Sequence, residues 1–143
     1  MKPFVDDLIS RYPVLNEIRP QMETAIAQVI ACFERGNTLF CCGNGGSGSD
    51  ADHIAGEFLK GFILRRELPE SELARFEAQF GADGRTLAGQ LQRGLRCISL
   101  LSHPGFITAF CNDVNPDLIY AQQLYALARP GDLIIGISAS GNA

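Results

Sequence analysis

Thr38-Leu39-Phe40-Cys41-Cys42-Gly43-Asn44-Gly45-Gly46-Ser47-Gly48-Ser49-Asp50 is the stretch that decides the fold. Its first half is an apolar run without alternation, bounded by Asn37 and Gly43, which reads as a buried parallel strand. A glycine cluster follows, and then a helical segment over about residues 50–61. Strand, Gly-rich turn and helix in that order predict the opening of an open α/β sheet, in which ligands sit at the carboxyl ends of the strands.

Upstream, residues 4–12 form a short amphipathic stretch broken by Pro13. A longer helix is predicted over 16–35, with Asn16 as N-cap and Pro20 in the first turn, where its missing N–H is tolerated. Met22, Ala25, Ile26, Val29, Ile30 and Phe33 repeat at helical spacing, and Gly36 supplies a stop. This stripe reads as core and subunit packing.

Downstream, residues 63–96 read as an insertion. Pro69-Glu70-Ser71-Glu72 looks like a helix start, with Leu73, Phe76 and Phe80 on one face before Gly81. Asp83-Gly84 reads as a turn, and 86–95 as a second short helix. The segment is either a cover or neighbour contact for the site, or a solvated helical hairpin. The pattern then resumes with a strand at 97–101, a helical turn at 104–110 and an apolar helix at 117–128. Pro130-Gly131-Asp132 is a turn, Leu133-Ile134-Ile135-Gly136-Ile137 a third buried strand, and Ser138-Ala139-Ser140-Gly141-Asn142 a second small-residue loop. The whole reads as a single α/β domain over 1–143. No helix follows the third strand, so the expectation is the first part of a domain.

The bulk composition of the 143 residues fits that reading, with 46% hydrophobic and 20% charged residues. A net charge of -4 argues against a nucleic-acid binder, which carries a basic face. No apolar run approaches the roughly 20 residues needed to cross a bilayer, and Asp6 and Asp7 stand where a signal peptide needs apolar residues. Five cysteines, Cys32, Cys41, Cys42, Cys97 and Cys111, are an odd number without a disulfide spacing. They read as small buried hydrophobes in a reducing cytoplasm. Cys41 and Cys42, as adjacent strand residues, point to opposite faces and make a poor metal pair.

Three constellations carry chemistry. In Gly43-Asn44-Gly45-Gly46-Ser47 the glycines let backbone approach a ligand and free several N–H donors at a helix start. It is neither a Walker A loop, since no Lys follows, nor Gly-x-Gly-x-x-Gly. Ser138-Ala139-Ser140-Gly141-Asn142 repeats the theme after another strand. Neutral hydroxyls and amides hold a phosphate monoester at modest affinity. His53 and Glu57, four residues apart, share one helix face and offer either two metal donors or an acid–base pair. An exposed helix pair with no role is the plain alternative. His103 reads as a surface or capping residue.

Cys42-Gly43-Asn44-Gly45-Gly46-Ser47 followed by Asp50, His53 and Glu57 resembles the opening motif of the sugar isomerase (SIS) domain family, most closely its phosphoheptose isomerase branch. Cys111-Asn112-Asp113 resembles that branch's mid-chain Asn-Asp pair. Residues 129–142 resemble its second phosphate loop with the strand before it. The resemblance implies an open parallel sheet with flanking helices, an N-terminal helix before the first strand, and interconversion of sedoheptulose 7-phosphate and a heptose 7-phosphate. It implies substrate contacts from Asn44, Gly45, Gly46, Ser47, Glu57, Asn112, Asp113, Ser138, Ala139 and Ser140. It implies catalysis by Glu57 and His53, a zinc ion on the same two residues, and a homodimer or homotetramer without nucleic acid or membrane partners.

The match has departures. Gly48-Ser49 replaces a polar pair, Ala139 a Thr, and Ala143 a Ser. The family takes a second His and a Gln from a C-terminal helix that the 143 residues do not contain. The alternative is a non-catalytic SIS-type protein that binds phosphosugars or associates with a replication initiator. His53 and Glu57 favour the enzyme.

Overall fold

The protein is described here by a computed structural model covering residues 2–142, and of Lys2 only the backbone. Three parallel strands form the sheet: β1 (Leu39–Gly43), β2 (Cys97–Ser99) and β3 (Leu133–Ile137), in the order β2-β1-β3. Leu39 pairs with both Cys97 and Leu133, so β1 is central. This is the expected open α/β sheet, with a helix before its first strand.

Among the described residues, six α-helices accompany the strands: α1 (Lys2–Arg11), α2 (Arg19–Glu34), α3 (Gly46–Leu59), α4 (Glu70–Ala88), α5 (Pro104–Asp113) and α6 (Ile119–Leu127). One sheet face carries Leu39, Cys41, Leu133 and Ile135, and against it pack Ala51, Ile54, Ala55 and Phe58 of α3 with Val29 and Phe33 of α2. The Phe33 and Phe58 rings lie 4.9 Å apart. Because the chain moves from β1 to β2 and then across β1 to β3, the two crossovers run in opposite senses. Right-handed crossovers then require α3 and α6 to lie on opposite faces. The reversal point between β1 and β3 is where such sheets open a crevice. Asp132 secures the start of β3, since its carboxylate accepts from the backbone N–H groups of Thr38 and Arg129, both at 2.8 Å.

Several sequence expectations shift. Asn16 is not the N-cap of α2. Pro13 opens a 3-10 turn over Pro13–Ile18, and the helix begins at Arg19, with Ile18 at the cap. The helix after β1 begins at Gly46 rather than 50, so the glycine loop is largely the first turn of α3. Asp83-Gly84 is not a turn and 86–95 is not a helix. The chain reverses at Gly81 (φ 68°), and the second helical arm runs from there to Ala88. The two arms of α4 are closely apposed, since a Cβ on Gly84 would lie 2.4 Å from the Phe76 carbonyl oxygen. Arg85 bridges the arms, pairing with Glu70 at 2.7 Å and Glu77 at 2.9 Å. The predicted second strand 97–101 ends at Ser99, where the Ser99 hydroxyl accepts from the Leu101 N–H and the chain turns. The 104–110 turn is a full helix to Asp113. The 117–128 helix starts at Ile119, after a 3-10 turn in which Asn115 caps the Asp117 N–H. Finally, β3 is half-buried instead of buried, with Ile134 44% exposed.

Three of the five cysteines are buried as expected, while Cys42 and Cys111 are only partly buried. Cys32, Cys41 and Cys97 are buried free thiols, and the Cys41 and Cys97 sulfurs lie 3.8 Å apart across β1 and β2. Cys42 faces the other side. Among the described residues no helix is long and apolar enough to cross a membrane.

Candidate functional site

The carboxyl ends of β1 and β3 open onto a cleft of about 470 Å³. Cys42, Gly43 and Asn44 line one wall, Gly136, Ile137 and Ser138 the other, and Asp117, Ile119 and Tyr120 close the side. The β1–β3 pairing brings Gly43 and Asn44 of the first small-residue loop and Ser138 of the second to this one cleft, whereas Gly45, Gly46, Ser47, Ala139 and Ser140 do not line it.

The first loop is shaped by sterics. Gly45 has φ 57°, a conformation that glycine adopts without strain. This turn lets α3 start directly behind β1. Gly43 has no room for a side chain, because a Cβ there would sit 2.6 Å from the Ser47 carbonyl oxygen. Gly48 is equally confined, by the Gly43 carbonyl oxygen and Leu101 at 2.9 Å. No side chain caps α3. The backbone N–H groups at its start, together with the positive end of the helix, are therefore left without a capping side chain at the carboxyl end of β1.

Tyr120 was not singled out by the sequence. Its hydroxyl lies 2.7 Å from the Gly43 carbonyl oxygen and 2.9 Å from the Asn44 side-chain oxygen. Burial pushes the phenol above its ordinary value, with the Cys42 thiol adding to the shift. The only sequence signal was its place on the apolar helix before β3, where an aromatic is ordinary.

In the second loop, the Ser138 hydroxyl accepts from the Gly141 N–H at 2.9 Å and the Ser140 hydroxyl from the Asn142 N–H at 3.2 Å. Ala139 is exposed between them. Ala143, where the resemblance expects a Ser, lies outside the described residues. Asn112 and Asp113 end α5, exposed and bonded to each other at 2.8 Å, and do not line the cleft.

His53 and Glu57 form a second locus along α3. The His53 Nε2 atom lies 3.5 Å from Glu57 Oε1, with side-chain exposures of 75% and 28%. Lys60 Nζ approaches the same oxygen at 3.4 Å. Glu57 Oε2 is buried without a hydrogen-bond partner. Such an orphaned carboxylate oxygen is what a missing ligand or proton would satisfy. Beside it lies a shallow apolar depression formed with Phe58, Phe62, Ile63, Leu64 and Arg66. Neither His53 nor Glu57 lines the cleft. Among the described residues, no three His, Cys, Asp or Glu side chains converge as a metal site. Two donors fall short of the three or four that zinc takes from protein, so these residues alone do not make a zinc centre.

His103 stands at the start of α5 but does not cap it. Its Nδ1 lies 3.1 Å from the Oε1 atom of the buried Gln123, whose amide donates to the Leu100 and Ile119 carbonyls.

No family model matches the chain. It is 39% identical over 126 residues to a phosphoheptose isomerase from Roseiflexus sp., covering 87% of this chain and 51% of that protein. It is 36% identical over 122 residues to one from Crocosphaera subtropica, covering 85% and 49%. The chain is homologous to the phosphoheptose isomerases. It spans about half the length of the curated relatives it matches. The fold agrees with the structure of a phosphoheptose isomerase from Neisseria gonorrhoeae, at a TM-score of 0.65, 23% identity, and coverage of 99% of this chain and 59% of that one. A Francisella tularensis phosphoheptose isomerase superposes at a TM-score of 0.56 over 93% of this chain and 60% of its own.

Proposed function

We propose that this chain serves a phosphosugar isomerase that interconverts sedoheptulose 7-phosphate and a heptose 7-phosphate. The observation that carries the reading is the cleft at the β1–β3 reversal, which takes Gly43 and Asn44 from the first Gly/Ser loop and Ser138 from the second. The shared name of the curated relatives, phosphoheptose isomerase, supports isomerisation of a phosphorylated heptose. In this reading the phosphate is held by the backbone N–H groups of Gly45, Gly46 and Ser47 and by the hydroxyls of Ser138 and Ser140. Asn112 and Asp113 serve the sugar from the end of α5. Glu57 moves the proton between C1 and C2, which requires a carboxylate beside the acidic carbon. His53 orients Glu57.

Glu57 lies 11 residues beyond Gly46 on α3, about 16 Å along the helix axis at 1.5 Å per residue. That exceeds the span from phosphate to C1 in an extended heptose phosphate. The loops and Glu57 therefore serve one substrate only if a site combines two copies, which supports a homo-oligomer. Exposed Phe62, Ile63 and Leu64, at the entry to the 63–96 segment, lie beside Glu57, a fitting place for such a contact. We place zinc, with His53 and Glu57 as two of its ligands, in the same composite site, where it would polarise the carbonyl oxygen. Free thiols fit work in the cytoplasm.

Binding without turnover is the second reading, favoured by the incomplete donor set at His53 and Glu57. Incubation of sedoheptulose 7-phosphate with the protein, with and without added zinc, followed by NMR of the sugar carbons, separates the two. The proposal expects aldose to accumulate, and Glu57→Gln to slow it by about 10²–10⁴-fold while phosphosugar binding persists. Binding with no turnover under either condition favours the second reading.

A further inference from the structure

Tyr120 makes a geometric demand on Asn44. One phenol has one proton, yet two oxygens lie within reach of it, at 2.7 Å on Gly43 and 2.9 Å on Asn44. The Gly43 carbonyl can only accept. The Asn44 amide, by contrast, exchanges its oxygen for its NH₂ by a half-turn about the last side-chain bond. One arrangement satisfies all three groups. The phenol donates to Gly43, Asn44 Nδ2 donates to the phenol oxygen, and the Asn44 oxygen turns away as an acceptor. The raised affinity of the phenol for its proton keeps it a donor through neutral pH.

An amide oxygen at the cleft wall has no use for a phosphate, whose oxygens are themselves acceptors. It suits a hydroxyl. We propose that Tyr120 is a positioning residue that presents Asn44 as an acceptor for a sugar hydroxyl, leaving the phosphate to the backbone N–H groups of 45–47 and the hydroxyls of the second loop. This rests on the phosphosugar reading and adds which end of the ligand Asn44 holds. It also ties α6 to the first loop, so the crossover that delivers β3 sets the chemistry of β1.

The test is calorimetric titration of the protein with sedoheptulose 7-phosphate and, separately, with inorganic phosphate. Tyr120→Phe keeps the ring and removes the hydroxyl. It should weaken sugar-phosphate binding about five- to tenfold, the worth of one hydrogen bond, and leave inorganic phosphate binding unchanged. Asn44→Ala, at an exposed position that spares the packed phenol, should show the same split, and Tyr120→Phe should add nothing in that background. Unchanged sugar-phosphate binding in Tyr120→Phe overturns the role of Tyr120. Equal loss of inorganic phosphate binding overturns the assignment of Asn44 to the sugar, and additive losses overturn the coupling. A wild-type protein that binds neither probe overturns the phosphosugar reading itself, and this inference with it.

Discussion

The two Gly/Ser loops follow parallel strands and face one cleft, but they are held in different ways. The loop after β1 is fixed from outside. Gly43 and Gly48 are pressed against backbone and Leu101, and Tyr120, 77 positions away, grips the Gly43 carbonyl. The loop after β3 carries bonds of its own, from the Gly141 N–H to the Ser138 hydroxyl and from the Asn142 N–H to the Ser140 hydroxyl, and it stays exposed. One loop is therefore braced by the core and the other is an exposed loop of hydroxyls. Stability and affinity should separate along that line.

The largest effect falls on the first loop. Gly43→Ala forces a Cβ to within 2.6 Å of the Ser47 carbonyl oxygen. It should cost about 1–3 kcal/mol in urea unfolding, with ligand binding lost alongside. A neutral substitution would mean that the first loop is not braced.

The second loop should answer only in affinity. Ser138→Ala removes a cleft-lining hydroxyl, so phosphosugar binding should weaken about fivefold while the urea midpoint stays in place. A large loss of stability would erase the distinction.

A pH contrast lies beneath the loops, because thiols cluster around β1 and none sits on β3. Burial raises Cys32 and Cys42, whereas the Cys41–Cys97 contact raises Cys97 and lowers Cys41. Cys32 and Cys42 hold their protons more tightly in the folded chain than in the unfolded one. Their contribution is thus intact below the ordinary thiol value of 9.0 and declines as pH rises above it. Unfolding measured from pH 7 to 10 should show that decline, and Cys32→Ala should flatten it. The smallest effect is expected from Ala139→Thr, which adds a hydroxyl to the exposed second loop and should tighten phosphosugar binding about threefold at most.

Much of this was legible in sequence because it is local. The unbroken apolar runs at 39–43 and 133–137 gave strands, and the glycine cluster between strand and helix gave the loop. What failed was boundary chemistry. Asn16 looks like a cap, but Pro13 had already begun a turn of its own. Asp83-Gly84 looks like a turn, but the reversal was spent two residues earlier at Gly81, and Gly84 is there for close packing on Phe76. Tyr120 was invisible for a different reason. Its role depends on α6 lying beside β1, and spacing along one helix carries no trace of a partner so far away in sequence. The half-exposure of β3 was equally hidden, since an apolar run does not say which of its faces is covered.

The central claim is that the β1–β3 cleft is the phosphosugar site. Amide chemical shifts of the ¹⁵N-labelled protein, followed during titration with sedoheptulose 7-phosphate, test it most directly. The account predicts that the largest shifts fall on Gly45, Gly46 and Ser47 together with Gly141 and Asn142, saturating with one affinity. Shifts confined to α4, or to the surroundings of Glu57 with both loops silent, would contradict it.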